Sequence, residues 1–111
     1  MSMKVERWTG EGRPDALALR ERMESEGYSV FQWTDAPGRT YAEHTHPEDQ
    51  SHWILSGAIT IVVGRDEYTL RAGDRDFLKA GVRHSARVEG REPCVYLVGA
   101  KEEQAQRAAT K

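Results

Sequence analysis

The chain has 111 residues, 38% of them apolar and 31% charged, and sixteen Lys and Arg against eighteen Asp and Glu leave a formal charge of −2. That length allows one domain around one core, and a near-neutral balance gives no electrostatic ground for binding nucleic acid. No apolar run approaches the ~18 residues of a membrane span. The opening MSMKVERWTG lacks the apolar stretch of a secretory signal, and a lone cysteine, Cys94, has no partner for an internal disulfide, so the expectation is a cytoplasmic protein.

One segment reads as a helix. Pro14 suits its first position, Asp15 complements the positive end of the dipole, Ala16, Leu19 and Met23 share a face, and Gly27 suits the left-handed residue that ends it. From Tyr28 onward the pattern changes to short apolar or alternating runs: SVFQW, TYAEHTH, SHWIL, AITIVV, EYTLR, DFLKA, HSARVE and CVYLVG. Turn signals such as DAPG, SGA, GRDE and AGD separate them, which is the cadence of an all-β sandwich or barrel. The expected division is an N-terminal strand and helix over 1–28, a barrel over 29–100, and a polar tail, 101–111, that is frayed or disordered.

All four histidines fall in the β-rich part. In a strand His44 and His46 point the same way, about 6.5–7 Å apart at Cα, so two imidazoles can share one ion. After a turn at Pro47, Glu48 and Asp49, Gln50 and His52 open the next strand on a common face. If that strand returns antiparallel beside the first, its inward residues arrive near His46. His84, behind a turn at Gly81, approaches from another strand.

Two blocks of the sequence resemble the cupin superfamily. GRTYAEHTHPEDQSHWILSG follows the first cupin block from Gly38 through His44 and His46 to Gly57, with Gln50 where a glutamate is usual. GDRDFLKAGVRHSARV follows the second at Gly73, Gly81 and His84, with Lys79 for a proline and Val88 for an asparagine. Seven of ten key positions agree, over nearly half the chain. The resemblance implies a small jelly-roll β-barrel, to which the residues add one short N-terminal helix. It also implies one divalent transition metal (Mn, Fe, Ni, Zn, Co or Cu) held by His44, His46, Gln50 and His84.

Gln50 has a physical consequence. A carboxamide leaves a divalent ion's full charge uncancelled where a glutamate would remove one unit, so the ion is held less tightly and is the stronger Lewis acid. His52 lies outside the cupin pattern. Three readings stand: a general base, a fourth ligand with Gln50 displaced, or a core histidine bonded to a backbone carbonyl.

Basic residues recur from Arg71 through Arg75, Lys79, Arg83 and Arg87 to Arg91; with Arg83 and Arg87 pointing away from the interior they read as a solvated outer face, Lys79 set apart because it replaces a turn proline near the mouth. AITIVV is apolar on both faces, with Ile59, Ile61 and Val63 on one and Val62 beside Thr60 on the other, from which a homodimer is expected. The functional expectation is a metal-dependent enzyme acting on a small polar or anionic metabolite. It would work by Lewis-acid and proton-transfer chemistry of the isomerase or lyase kind, or by dioxygenation, with His52 as the catalytic residue. The alternatives are a non-catalytic module that binds or senses a metal or small ligand, and a structural cupin that has lost its metal.

Overall fold

The computed structural model describes residues 3–101. Among these, nine strands and one helix follow in the order β1 (Lys4–Glu6), α1 (Ala16–Ser25), β2 (Ser29–Asp35), β3 (Thr40–His44), β4 (Asp49–Ser56), β5 (Ala58–Val63), β6 (Asp66–Arg71), β7 (Arg75–Phe77), β8 (His84–Glu89) and β9 (Cys94–Lys101). Lys101, expected in the tail, ends β9, and residues 102–111 lie outside the described residues.

Asp15 caps the helix from outside, its Oδ1 accepting from the amides of Leu17 (3.0 Å) and Ala18 (3.4 Å). Pro14 therefore precedes the cap rather than opening the helix, because a side chain that satisfies two orphan amides fixes the boundary one residue later. Gly27, at φ 100, ends it as expected.

The strands form two sheets, β1-β7-β4-β9-β2 and β3-β8-β5-β6, which face each other as a jelly roll. Between them lies the main core: Ile54, Tyr96 and Val98 from the first sheet meet Ile59, Ile61, Leu70 and Val88 from the second. Each fully buried aliphatic side chain contributes about 1.5–3 kcal/mol over its exposed state. Strand alternation sends the opposite residues outward, and there Trp53 and Leu97 meet Leu19 and Met23 of α1 with Tyr28. Gly57, at φ 78, makes the β4–β5 turn, and a Cβ there would run into the Pro93 carbonyl oxygen.

Three sequence expectations change. First, β4 does not return beside β3: β3 pairs β8, while β4 sits in the other sheet between β7 and β9. The four residues from Thr45 to Glu48 cross between sheets, which is how a jelly roll brings sequence neighbours to opposite walls. Second, Arg75 is not on a solvated face. It is 1% exposed, pairs with Glu26, donates from Nε to Ser51 Oγ at 2.8 Å, and lies over the rings of Trp53 (4.5 Å) and Phe77 (4.4 Å). Third, the outward face of β5 is polar as well as apolar. Buried Thr60 bonds Glu89 (2.6 Å) and Thr69 (2.8 Å), and Arg87 joins Glu89 to Glu67.

Candidate functional site

Inside the jelly roll a cavity of about 280 Å³ opens between the sheets. His44, His46, Gln50, His52 and His84 all line it. His44 and His84 stand directly opposite each other on β3 and β8. His46 lies just beyond the end of β3, and its carbonyl accepts from the Gly81 amide at 2.9 Å, so the Gly81 turn holds the loop that carries it.

Each ring's orientation follows from its hydrogen bonds. Nδ1 of His44 meets the Ala42 carbonyl at 2.6 Å and Nδ1 of His84 meets the Val82 carbonyl at 2.9 Å. A carbonyl only accepts, so in both rings Nδ1 carries the hydrogen and Nε2 offers its lone pair. The Nε2 atoms of His44 and His46 are 3.1 Å apart, and one ligating nitrogen from each of the three rings lies within 4.8 Å of the others.

An ion with nitrogen ligands at about 2.1 Å sets neighbouring donors about 3.0–3.5 Å apart; His44 and His46 already stand at that spacing, and His84, within 4.8 Å of both, is near enough to join them. Burial, reinforced by the charges of His84 and His44, pushes His46 down to about 4. Burial likewise lowers His84, so both are neutral and ready to ligate at neutral pH.

Gln50 is held at both ends. Its backbone exchanges two hydrogen bonds with Leu78, each 2.8 Å, and its side-chain Nε2 donates to Glu48 Oε1 at 2.9 Å. Tying the amide nitrogen to a carboxylate leaves the carbonyl oxygen as the free end, the correct atom for a metal. Glu48, read from sequence only as part of a turn, thus brings back a negative charge one step further out than the usual glutamate.

His52 does not bond a backbone carbonyl. Its Nδ1 lies 3.1 and 3.0 Å from the two carboxylate oxygens of Asp76, and its own amide donates to Asp76 Oδ1 at 2.8 Å. Burial works against the charged ring, but the charge and hydrogen bond of Asp76 outweigh it and hold the His52 pKa above its ordinary value. Nε2 makes no hydrogen bond, and among the described residues no buried side-chain nitrogen or oxygen lacks a partner, so Nε2 reaches the cavity surface.

A second polar cluster escaped the sequence reading. Asp35, 1% exposed, accepts from Trp33 Nε1 (3.0 Å), Tyr41 Oη (2.6 Å) and Tyr96 Oη (2.6 Å). It stood in DAPG, where aspartate is ordinarily a turn residue, and only the neighbouring strands reveal its role. Burial, then the Asp35 carboxylate, raise both tyrosines above their ordinary value, Tyr96 by far the more. Phe31, Ile59, Ile61, Ala86 and Val98 supply apolar walls. Cys94 is buried, which pushes its thiol up to about 12 and leaves it unreactive.

Comparison with known proteins agrees with this architecture. The description "Cupin domain" matches residues 31–99. No curated protein matches the chain. One similar solved structure is an uncharacterized conserved protein with a double-stranded β-helix domain from Klebsiella pneumoniae: 29% identity over 70% of each chain, TM-score 0.60. A putative mannose-6-phosphate isomerase from Ralstonia eutropha shares 23% identity over 70% of this chain and 77% of its own, TM-score 0.62. The DMSP lyase DddQ from Ruegeria pomeroyi shares 24% over 69% of this chain but only 39% of its own, TM-score 0.61. At these last two identities the likeness is one of fold alone. With the match spanning β2 to β9 and both histidine-bearing sheets, the chain belongs to the cupin domain family.

Proposed function

We propose that this protein is a metal-dependent enzyme that moves a proton on a small oxygen-bearing molecule, with His52 as the proton carrier. His44, His46, His84 and the Gln50 carbonyl oxygen are the residues that would hold a divalent transition metal. When bound, such an ion supplies Lewis acidity that polarises a substrate oxygen.

The observation that carries the reading is the His52–Asp76 pair in the same cavity as the three histidines. Asp76, wholly buried, fixes hydrogen on Nδ1 of His52 and leaves Nε2 as the base. When Nε2 takes a proton, the ring becomes a cation already facing a carboxylate, so the charged state costs little reorganisation. Return of that proton to a neighbouring atom gives isomerisation, and loss of a leaving group instead gives elimination. A lyase and a putative isomerase among the structural neighbours show that this fold accommodates proteins so named.

The test is proton exchange into heavy water. Metal-loaded protein is incubated with a panel of small hydroxy-, oxo- and amino-acids, and loss of carbon-bound proton signals is followed by NMR. Exchange in the wild type should rise with pH through a pKa above 6.5, and His52→Gln should abolish it while chelator competition shows unchanged metal affinity. Asp76→Asn, which removes the group that stabilises the charged ring, should move that limb to lower pH. Exchange that survives His52→Gln removes His52 from the chemistry, and no exchange by the wild type on any member favours a binding module.

A further inference from the structure

The Asp35 cluster is a charge without a countercharge. Its carboxylate is buried among three neutral donors, and among the described residues it makes no ion pair. No Lys or Arg lines the cavity. The other buried carboxylate there, Asp76, is matched by His52. Arg39, the cation found beside this cluster, lies over the Tyr41 ring at 4.5 Å and reaches no oxygen of Asp35.

The surroundings are aromatic. Phe31, Trp33, Tyr41 and Tyr96 all line the cavity, with Phe31 and Trp33 edge to face at 6.4 Å. These two are also among the largest exposed apolar side chains, at 51% and 48%. Because Trp33, Tyr41 and Tyr96 donate their polar hydrogens to a carboxylate, their rings are richer in electrons and attract a cation more strongly. Their hydroxyl protons are committed to Asp35, so the tyrosine oxygens offer a ligand only lone pairs.

Register places this cage relative to the histidines. Trp33 and Ile54 both stand opposite Tyr96, whereas Gln50 stands opposite Ala100, four residues along β9. At about 3.3 Å per residue that separation is ~13 Å between backbones. The rings bridge much of that distance, since the Tyr96 and His52 centroids are 5.8 Å apart. The cavity, of about 280 Å³, is of a size for a small molecule.

From this juxtaposition we infer that the ligand is a small zwitterion, with a carboxylate at the histidine end and an onium group held among Phe31, Trp33, Tyr41 and Tyr96 in the field of Asp35. The inference rests on the proposed metal site for its carboxylate half and on the aromatic cage alone for its cationic half. A sugar phosphate is disfavoured, since no cationic side chain meets its second charge.

The experiment compares isosteres. Glycine betaine and γ-butyrobetaine are titrated calorimetrically into zinc-loaded protein beside their neutral-tailed analogues, in which tert-butyl replaces trimethylammonium. One betaine should bind about tenfold tighter than its carbon analogue. Trp33→Leu, at the exposed mouth, and Asp35→Asn should each erase most of that preference, with circular dichroism confirming the fold. Tetramethylammonium titrated into metal-free protein reads the cage by itself, through a saturable shift of the Trp33 indole N–H resonance. Equal binding of charged and neutral tails, with zinc bound, overturns the cationic half and leaves the metal site standing. Zinc that fails to bind, together with a normal tetramethylammonium response, overturns the metal site and leaves the cage. No response to any onium probe overturns the inference.

Discussion

Glu48→Gln isolates the contribution of a carboxylate that touches the candidate metal centre only through an amide. The wild-type contact, Gln50 Nε2 to Glu48 Oε1 at 2.9 Å, is a charge-assisted hydrogen bond, and such bonds contribute about 1.5–3 kcal/mol when shielded from water. Both residues are half-buried, so the lower part of that range applies. Losing it frees the amide to rotate and present nitrogen instead of oxygen, and removes a unit of negative charge near the ion. Outer partners of metal ligands typically change affinity by roughly 10–100-fold, and about tenfold corresponds to ~1.4 kcal/mol. The assay is competition with a chromophoric chelator for zinc or nickel, on protein free of any histidine tag. Glu48→Gln should bind about tenfold more weakly than wild type, and in a Gln50→Ala background the loss should be much smaller, because only the through-space charge effect remains once the amide is gone. Unchanged affinity in the single variant, or an equal loss in both backgrounds, would refute this route of action.

Other outcomes follow from the same structure. In a Glu48→Gln background, Gln50→Glu should bind divalent metal more tightly than the parent, because one ligand charge then cancels part of the ion's; a titration settles it. Glu26 is held below its ordinary 4.5 by the hydrogen bond and charge of Arg75. Its contribution is therefore complete above that value and disappears as pH falls through the lower folded one. Glu26→Gln should cost about 1–2 kcal/mol at neutral pH and flatten the acid limb of a urea-denaturation series. Gly57→Ala should lower stability by about 2 kcal/mol or more, since it combines positive φ with a clash against Pro93. Gly64→Ala, also at positive φ but facing open space, should cost only the backbone part, about 1–2 kcal/mol. Denaturation midpoints separate the two.

Much of the barrel could be read from one dimension. The β strands are short and bounded by glycine turns, so each announces itself locally, and β2, β5 and β8 begin where the runs SVFQW, AITIVV and HSARVE begin. The trio His44, His46 and His84 was legible because strand alternation and the spacing of the two blocks carry it. What stayed hidden depends on pairings between distant segments. Asp76 is 24 residues from His52 and looks like any aspartate beside a turn, until β7 is laid against β4. Asp35 looked like punctuation until β2, β3 and β9 converged on it. Arg75 looked solvated because charge is usually read as surface; its burial needs Glu26, the residue that caps α1, 49 residues away. The crossing of β4 to the far sheet is a property of topology, which a strand-by-strand reading does not contain.

The shortest internal strand ties the amino-terminal quarter to reactivity. Arg75 points outward to α1 while Asp76, its neighbour, points inward to His52, and β1 lies along the same three residues. The histidine trio hangs from β3, β8 and the crossing loop, on the other wall. Three of the four proposed ligands thus stand apart from the His52–Asp76 pair, and Gln50 alone shares β4 with His52. Glu26→Gln, which cuts the pair that anchors Arg75 next to Asp76, should therefore disturb His52 before it disturbs the trio, a split that no substitution within the trio itself could produce.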